Sequence, residues 1–138
     1  MDSKILGGFK KIHLLINPVS GQGVINMRSE YHYTLHEDLL NIHYLLLPTD
    51  DNQAPTIEHL HQGGDFIKEQ VSNGGKVYIY CWEGLGRSAT MAAAYFVSQG
   101  NTVEQAWAHI KKRRSFVRSI PVQIERLEEF SLHITNGD

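Results

Sequence analysis

Cysteine is nearly absent from this sequence: Cys81 is the one cysteine among its 138 residues. A single thiol excludes a framework of intramolecular disulfides, which is typical of small secreted domains. Long apolar runs are missing as well. No segment approaches the ~20 apolar residues of a membrane-spanning helix, and the run at residues 12–16 is shorter than the ~7–15-residue core of a signal peptide. We therefore expect a cytoplasmic protein without a membrane partner.

Neither sign of charge is in large excess. The 13 lysines and arginines nearly balance the 15 acidic residues, which gives a formal net charge of -2. Such a chain has no overall positive field to attract nucleic acid or an anionic membrane, although these totals still allow a local basic patch. The hydrophobic fraction of 41% and the length of the chain are typical of one folded domain. We expect a monomeric single domain over residues 1–138, with no nucleic-acid partner.

Short apolar runs bounded by turn residues predict the strands. They cover residues 12–16, 24–27, 43–47 and 77–80. Pro48 is expected to end the third strand, which we expect to be buried. The fourth run is apolar or aromatic at every position, as in a central strand that is buried on both faces.

Apolar residues at alternating spacings of three and four predict a helix at residues 57–73, and an alanine-rich segment predicts a buried helix at residues 87–99. A short helix is expected at residues 36–40, and two longer ones at 102–114 and 119–132. Ser119 is the expected cap of the last helix, with Pro121 in its first turn. Strands mixed with helices, followed by three helices, indicate an α/β fold.

The segment that carries chemistry is the loop between the fourth strand and the helix at residues 87–99. It consists of Cys81, Trp82, Glu83, Gly84, Leu85, Gly86, Arg87 and Ser88. In open α/β sheets, ligands lie beyond the carboxyl ends of strands. A glycine-containing loop there can turn successive backbone N–H groups toward one anion, and the N-terminus of the following helix strengthens the attraction. A thiol beside such a nest is favoured as a thiolate.

These residues match the pattern Cys-x-x-Gly-x-x-Arg-Ser/Thr and resemble the signature of the cysteine-dependent protein phosphatases, in particular the compact dual-specificity branch. The likeness extends over residues 24–130, most of the chain. It implies an α/β fold of the protein tyrosine phosphatase type, in which helices flank a central, mostly parallel β-sheet. It also implies that Cys81 attacks phosphorus, that Arg87 and the amides of residues 82–87 bind the phosphate, and that Ser88 hydrogen-bonds the thiolate.

The resemblance implies a general acid in the loop at residues 48–55. In that family an aspartic acid protonates the leaving oxygen and then activates water against the cysteinyl-phosphate. Asp51 and Asp50 are both candidates, and Asp51 is favoured because it precedes Ala54-Pro55 by three residues. Both can instead be turn-forming aspartates. Gln123 matches a glutamine that orients the hydrolytic water in some members, although a solvent-facing helix glutamine fits the sequence equally well.

The loop also departs from the family pattern. Tyr80 stands where the residue before the cysteine is usually histidine, and Glu83 places a negative charge within the loop. Relatives that act on inositol lipids tend to carry lysines there, and this loop has none. We therefore expect a phosphorylated protein as substrate, with phosphotyrosine and phosphoserine or phosphothreonine both accepted. Trp82 can flank an aromatic phospho-residue or simply pack. No cofactor or metal is expected.

The cysteine, its loop and two other sequence features also allow other interpretations. Cys81 can be an inert buried thiol, and the loop can belong to a phosphate-binding module that no longer turns over. Residues 17–23 together with Gly63-Gly64-Asp65 resemble motifs of diacylglycerol-type lipid kinases, but the latter lie inside a predicted helix and the chain is too short. The basic residues Lys111 to Arg114, with Arg118, can attract acidic substrate segments or RNA, or can simply form the polar face and end of a helix.

Overall fold

The computed structural model describes residues 14–15, 22–29, 42–81, 86–115 and 117–136. The strands are β1 (Leu14–Leu15), β2 (Gln22–Arg28), β3 (Ile42–Thr49) and β4 (Lys76–Tyr80). The helices are α1 (Ile57–Ser72), α2 (Arg87–Ser98), α3 (Val103–Arg113) and α4 (Pro121–Thr135). The helix expected at residues 36–40 lies outside the described residues.

The described strands form one sheet in the order β1-β4-β2-β3. Strand β2 pairs in parallel with both β3 and β4, while β1 pairs antiparallel with β4. The central strands are buried on both faces: Val24, Ile25, Val77 and Ile79 have no exposed surface. Such continuous burial is typical of a parallel sheet covered by helices. The predicted α/β fold with a mostly parallel sheet is therefore confirmed.

Strand β3 differs from its prediction in two ways. It continues through Pro48 to Thr49 instead of ending at Pro48, and it lies at the edge of the described sheet. A proline lacks the N–H that a central strand must donate, and an edge strand tolerates this loss. The strand is also not buried throughout, because Leu46 is 38% exposed whereas Leu47 is 2% exposed.

Helices α1, α2 and α3 begin and end close to where local signals place them, whereas α4 differs at both ends, running from Pro121 to Thr135 instead of over 119–132. Thr56 caps α1 by accepting a hydrogen bond from the amide of His59, and Thr102 forms a capping box with Gln105 at the start of α3. The predicted cap of the last helix was wrong. Helix α4 is capped at Ile120 rather than Ser119, because Pro121 takes the first helical position, where its missing N–H costs nothing.

Helix α2 is the buried centre of the helical layer. It packs against α1, α3, α4 and β4, and its alanines Ala89, Ala92, Ala93 and Ala94 are at most 1% exposed. Small side chains allow this close approach from several directions. Helix α2 is therefore held rigidly, and its N-terminus faces the end of β4. Among the described residues, no helix combines the length and the apolar character needed to cross a membrane.

Candidate active site

Cys81 directly follows β4, and Gly86 is the N-cap residue of α2. Cys81 is 1% exposed, and its thiol is not in a disulfide. The Sγ atom lies 3.6 Å from Oγ of Ser88, in the first turn of α2. The strand and the helix thus place the thiol at the positive end of a helix dipole. Of the predicted phosphate-binding loop, residues 82–85 lie outside the described residues.

Arg87 is a buried cation that joins two loops. Its side chain is 2% exposed, and its Nη1 donates a 2.7 Å hydrogen bond to the carbonyl oxygen of Thr49 at the end of β3. Its Nη2 lies 3.8 Å from Oδ1 of Asp51. A planar guanidinium has five N–H donors in a fixed arrangement, so it can bind a backbone carbonyl and an oxyanion at the same time.

The two candidate acids lie in a tight turn after β3, and their side chains have different partners. Asp50 Oδ1 accepts a 2.6 Å hydrogen bond from Oγ of Ser29. Asp51 is the one next to Arg87, and its side chain is 71% exposed. The turn is closed by the amide of Gln53, which donates to the Asp50 carbonyl at 3.1 Å. Asn52 has a φ of 64°, which asparagine tolerates better than most residues.

Gln123 lies in the first turn of α4, and the alternative of a solvent-facing glutamine is wrong because it is 2% exposed. Its Nε2 donates to the carbonyl of Gln53 at 3.1 Å, and its Oε1 accepts from the amide of Ile120 at 3.3 Å. A Cβ atom on Gly86 would lie 2.9 Å from both polar atoms of the Gln123 amide. Gln123 therefore packs directly between the start of α2 and the acid turn.

The structure brings together six of the residues that the sequence singled out: Cys81, Gly86, Arg87, Ser88, Asp51 and Gln123. It adds contributors that the sequence did not indicate. The carbonyl groups of Thr49 and Gln53 accept hydrogen bonds from Arg87 and Gln123. Arg126 donates to the carbonyl of Pro55, at the far end of the same turn. Backbone carbonyls carry no sequence signature, so only the tertiary structure reveals them.

The site offers anion-binding groups rather than a cluster of metal ligands. Within the described ranges, no three histidine, cysteine, aspartate or glutamate residues lie close enough to hold a metal ion. The polar groups that converge at the start of α2 are a thiol, a hydroxyl, a guanidinium and a carboxylate. Together they can attract a tetrahedral oxyanion and exchange one proton with it.

Known proteins share both this sequence pattern and this fold. The family described as dual specificity phosphatase, catalytic domain, matches residues 13–132. The mouse protein named phosphatidylglycerophosphatase and protein-tyrosine phosphatase 1 is 36% identical over 122 residues, which cover 83% of this chain and 63% of that protein. The Arabidopsis thaliana phosphatidylglycerophosphate phosphatase PTPMT2 is 31% identical over 114 residues, which cover 79% of this chain and 50% of that protein. The chain thus spans less than two thirds of the length of these relatives.

A solved structure extends the likeness to three dimensions. The crystal structure of PTPMT1 in complex with PI(5)P superposes with a TM-score of 0.79 at 34% sequence identity, covering 85% of this chain and 80% of that one. The similarity therefore includes the sheet and the helices that place Cys81 and Arg87.

Proposed function

Since the chain belongs to the dual specificity phosphatase family, we propose that it is a phosphatase in which Cys81 is the nucleophile. The thiolate attacks phosphorus, the P–O bond to the leaving group breaks, and a cysteinyl-phosphate forms. Ser88, 3.6 Å from the sulfur, donates a hydrogen bond from its hydroxyl group to the thiolate and stabilises the thiolate again when it departs. Arg87 and the amides of residues 82–87 hold the three non-bridging oxygens.

Asp51 is the proposed general acid and base. It protonates the leaving oxygen in the first step and removes a proton from water in the second, so that one carboxyl group returns to its starting state. Its position 3.8 Å from the Arg87 guanidinium supports this role, since Arg87 holds the transferred phosphate. Asp50 is bound to Ser29 instead. Gln123 is proposed to position the attacking water, because it is buried between Gly86 and the acid turn.

We propose a phospholipid with a terminal phosphate monoester as the substrate class, represented by phosphatidylglycerophosphate. Two relatives that align over about four fifths of this chain carry that activity in their names. A single terminal monoester needs only one anion nest and one arginine. Residues 82–85 contain no lysine, which disfavours headgroups with several phosphate monoesters. A headgroup with a single terminal phosphate monoester remains compatible with this loop.

A phosphotyrosyl protein is the second candidate substrate. The same mouse relative also bears the name of a protein-tyrosine phosphatase, and the sequence led us to expect a protein substrate. Both substrates would use the same thiolate chemistry, so the choice between them depends on the leaving group.

The test is phosphate release from phosphatidylglycerophosphate in detergent micelles and from a phosphotyrosyl peptide, measured with the wild type and the Cys81→Ser variant. We expect the lipid to give the higher kcat/KM and Cys81→Ser to release no phosphate from either. A higher kcat/KM for the peptide would favour the second candidate. Equal slow rates for both proteins would instead identify a phosphate-binding module without turnover. Vanadate should inhibit and a chelator should have no effect.

A further inference from the structure

We propose that a basic patch beside the active-site opening docks this phosphatase onto anionic lipid bilayers. The patch consists of Lys111, Lys112, Arg113 and Arg118. The proposal deepens the proposed function, on which it rests, because a bilayer is where a phospholipid substrate resides. The overall net charge of -2 led us to expect no membrane partner, but a local concentration of charge acts over a short range that the total does not describe.

The patch is concentrated, and of its residues Lys111 shares a surface pocket with Glu104 and Glu128. Residues 111–118 contain five of the 13 lysines and arginines of the chain and no acidic residue. All four patch side chains are exposed, and none has a carboxylate partner within the part of the chain that the structure describes. Clusters of this size on an amphipathic helix are attracted to anionic lipids, and each charge adds to the attraction.

The path of the helices places the patch at the same end of the molecule as the active site. Helix α2 begins there with Arg87, and a short connection at residues 99–102 turns the chain back into α3, which packs against α2. The two helices have 12 and 11 residues, so they are nearly equal in length. The last turn of α3 is therefore level with the first turn of α2.

The chain after α3 returns directly to the active site. The connection of residues 114–120 leads into α4, whose first turn carries Gln123 against Gly86. Arg118 lies within this connection. The chain around the patch thus packs against α2 and leads into the helix that carries Gln123. We infer that an anionic surface that meets the patch lies close to the site.

The patch is held on a fixed surface. Ile110, just before the patch, and Val117, just before Arg118, are 4% and 1% exposed. Ala106 and Trp107 bury the inner face of α3 as well, so its last turn presents the lysines outward. Long cationic side chains without fixed hydrogen-bond partners fit a diffuse charged surface better than a shaped peptide, which would require directional acceptors. We therefore assign the patch to the bilayer rather than to an acidic phosphopeptide.

Cosedimentation with vesicles tests the proposal on the full chain. Vesicles of phosphatidylcholine with about 30 mol% phosphatidylglycerol are compared with phosphatidylcholine alone, at low and high salt. We expect wild-type binding only to the anionic vesicles and its loss at high salt. Lys112→Gln should weaken the partition coefficient about fivefold and Lys112→Gln/Arg118→Gln about 25-fold. Lys68→Gln, which removes the same charge from an exposed position on α1, should bind like the wild type.

Lipid hydrolysis in micelles and kcat/KM on an acidic phosphopeptide, measured beside vesicle binding, separate the docking proposal from the proposed function. Wild type that hydrolyses the lipid in micelles but does not bind anionic vesicles would overturn the docking surface and leave the function intact. Binding that requires Lys112 and Arg118, without hydrolysis of any lipid, would support docking and contradict the lipid substrate. If the double variant binds vesicles normally but loses kcat/KM on an acidic phosphopeptide, the patch serves peptides and our assignment is wrong.

Discussion

Arg87 connects the start of α2 to the end of β3 through a 2.7 Å hydrogen bond from its Nη1 to the carbonyl oxygen of Thr49. The two residues are 38 positions apart in the sequence, and both are buried. Asp51 follows Thr49 by two positions, so the same bond limits how far this proposed acid can move from Arg87. In the proposed mechanism, phosphate binding and acid positioning therefore depend on one guanidinium.

Asp51→Asn tests the general acid. An amide cannot give up a proton to the leaving oxygen, so turnover should fall by about 10²–10³-fold for phenyl phosphate, whose leaving group needs a proton. The loss should be much smaller for p-nitrophenyl phosphate, because its leaving group is stable as an anion. Steady-state kcat values for the two substrates measure this difference.

Asp50→Asn is the matched control for that experiment. It makes the same chemical change one residue earlier, at a side chain bound to Ser29. We expect Asp50→Asn to give the same ratio of kcat values for phenyl phosphate and p-nitrophenyl phosphate as the wild type. If Asp50→Asn showed the dependence on leaving group and Asp51→Asn did not, the two assignments would have to be exchanged.

Arg87→Lys tests the dual role of the guanidinium. Lysine keeps the positive charge but cannot hold both the Thr49 carbonyl and two phosphate oxygens in one plane. We expect kcat/KM for an aryl phosphate to fall by about 10²–10³-fold and inhibition by inorganic phosphate to weaken. Arg126→Lys is the control, since Arg126 donates to the carbonyl of Pro55 at the far end of the acid turn. A similar loss in both variants would show that loop tethering, rather than phosphate binding, explains the effect.

Sequence patterns were sufficient for most of the fold because its signals are local. Thr56 and Thr102 cap their helices by accepting hydrogen bonds from amides three residues away, and Gly100, with a φ of 106°, follows the end of α2. The end of strand β3 could not be predicted from local signals. Its continuation through Pro48 depends on its place at the edge of the sheet, which is a property of the tertiary structure.

In the candidate site, too, local features could be predicted and tertiary contacts could not. Cys81, Arg87 and Ser88 could be predicted because they lie within eight consecutive residues, where one loop and one helix turn fix their geometry. The partner carbonyls of Thr49 and Gln53 could not, since every residue has a carbonyl. The burial of Gln123 could not be predicted either. It depends on the tertiary contact with Gly86, whose lack of a side chain leaves room for the Gln123 amide.

Two adjacent glycines on α1 should respond oppositely to the same substitution. A Cβ on Gly63 would lie 2.3 Å from Sδ of Met91, whereas one on Gly64 meets its nearest atom, Ser98 Oγ, at 3.9 Å. Gly63→Ala should lower the free energy of unfolding by about 1–3 kcal/mol through overpacking. Gly64→Ala should raise it by about 0.5–1 kcal/mol, because alanine favours the helix. Urea unfolding measures both, and a stabilised Gly63→Ala variant would contradict the packing described for Met91.

The contact between Gly86 and Gln123 predicts a non-additive pair. Gly86→Ala should force the Gln123 amide away from the Gln53 carbonyl, lowering both kcat/KM and, by about 1–2 kcal/mol, the free energy of unfolding. In a Gln123→Ala background the added methyl group has room, so Gly86→Ala should cost little. Urea unfolding of the two single variants and the double variant should give a coupling free energy of at least about 1 kcal/mol. Strictly additive effects would show that the two residues act independently, and the water-positioning role proposed for Gln123 would lose its support from this contact.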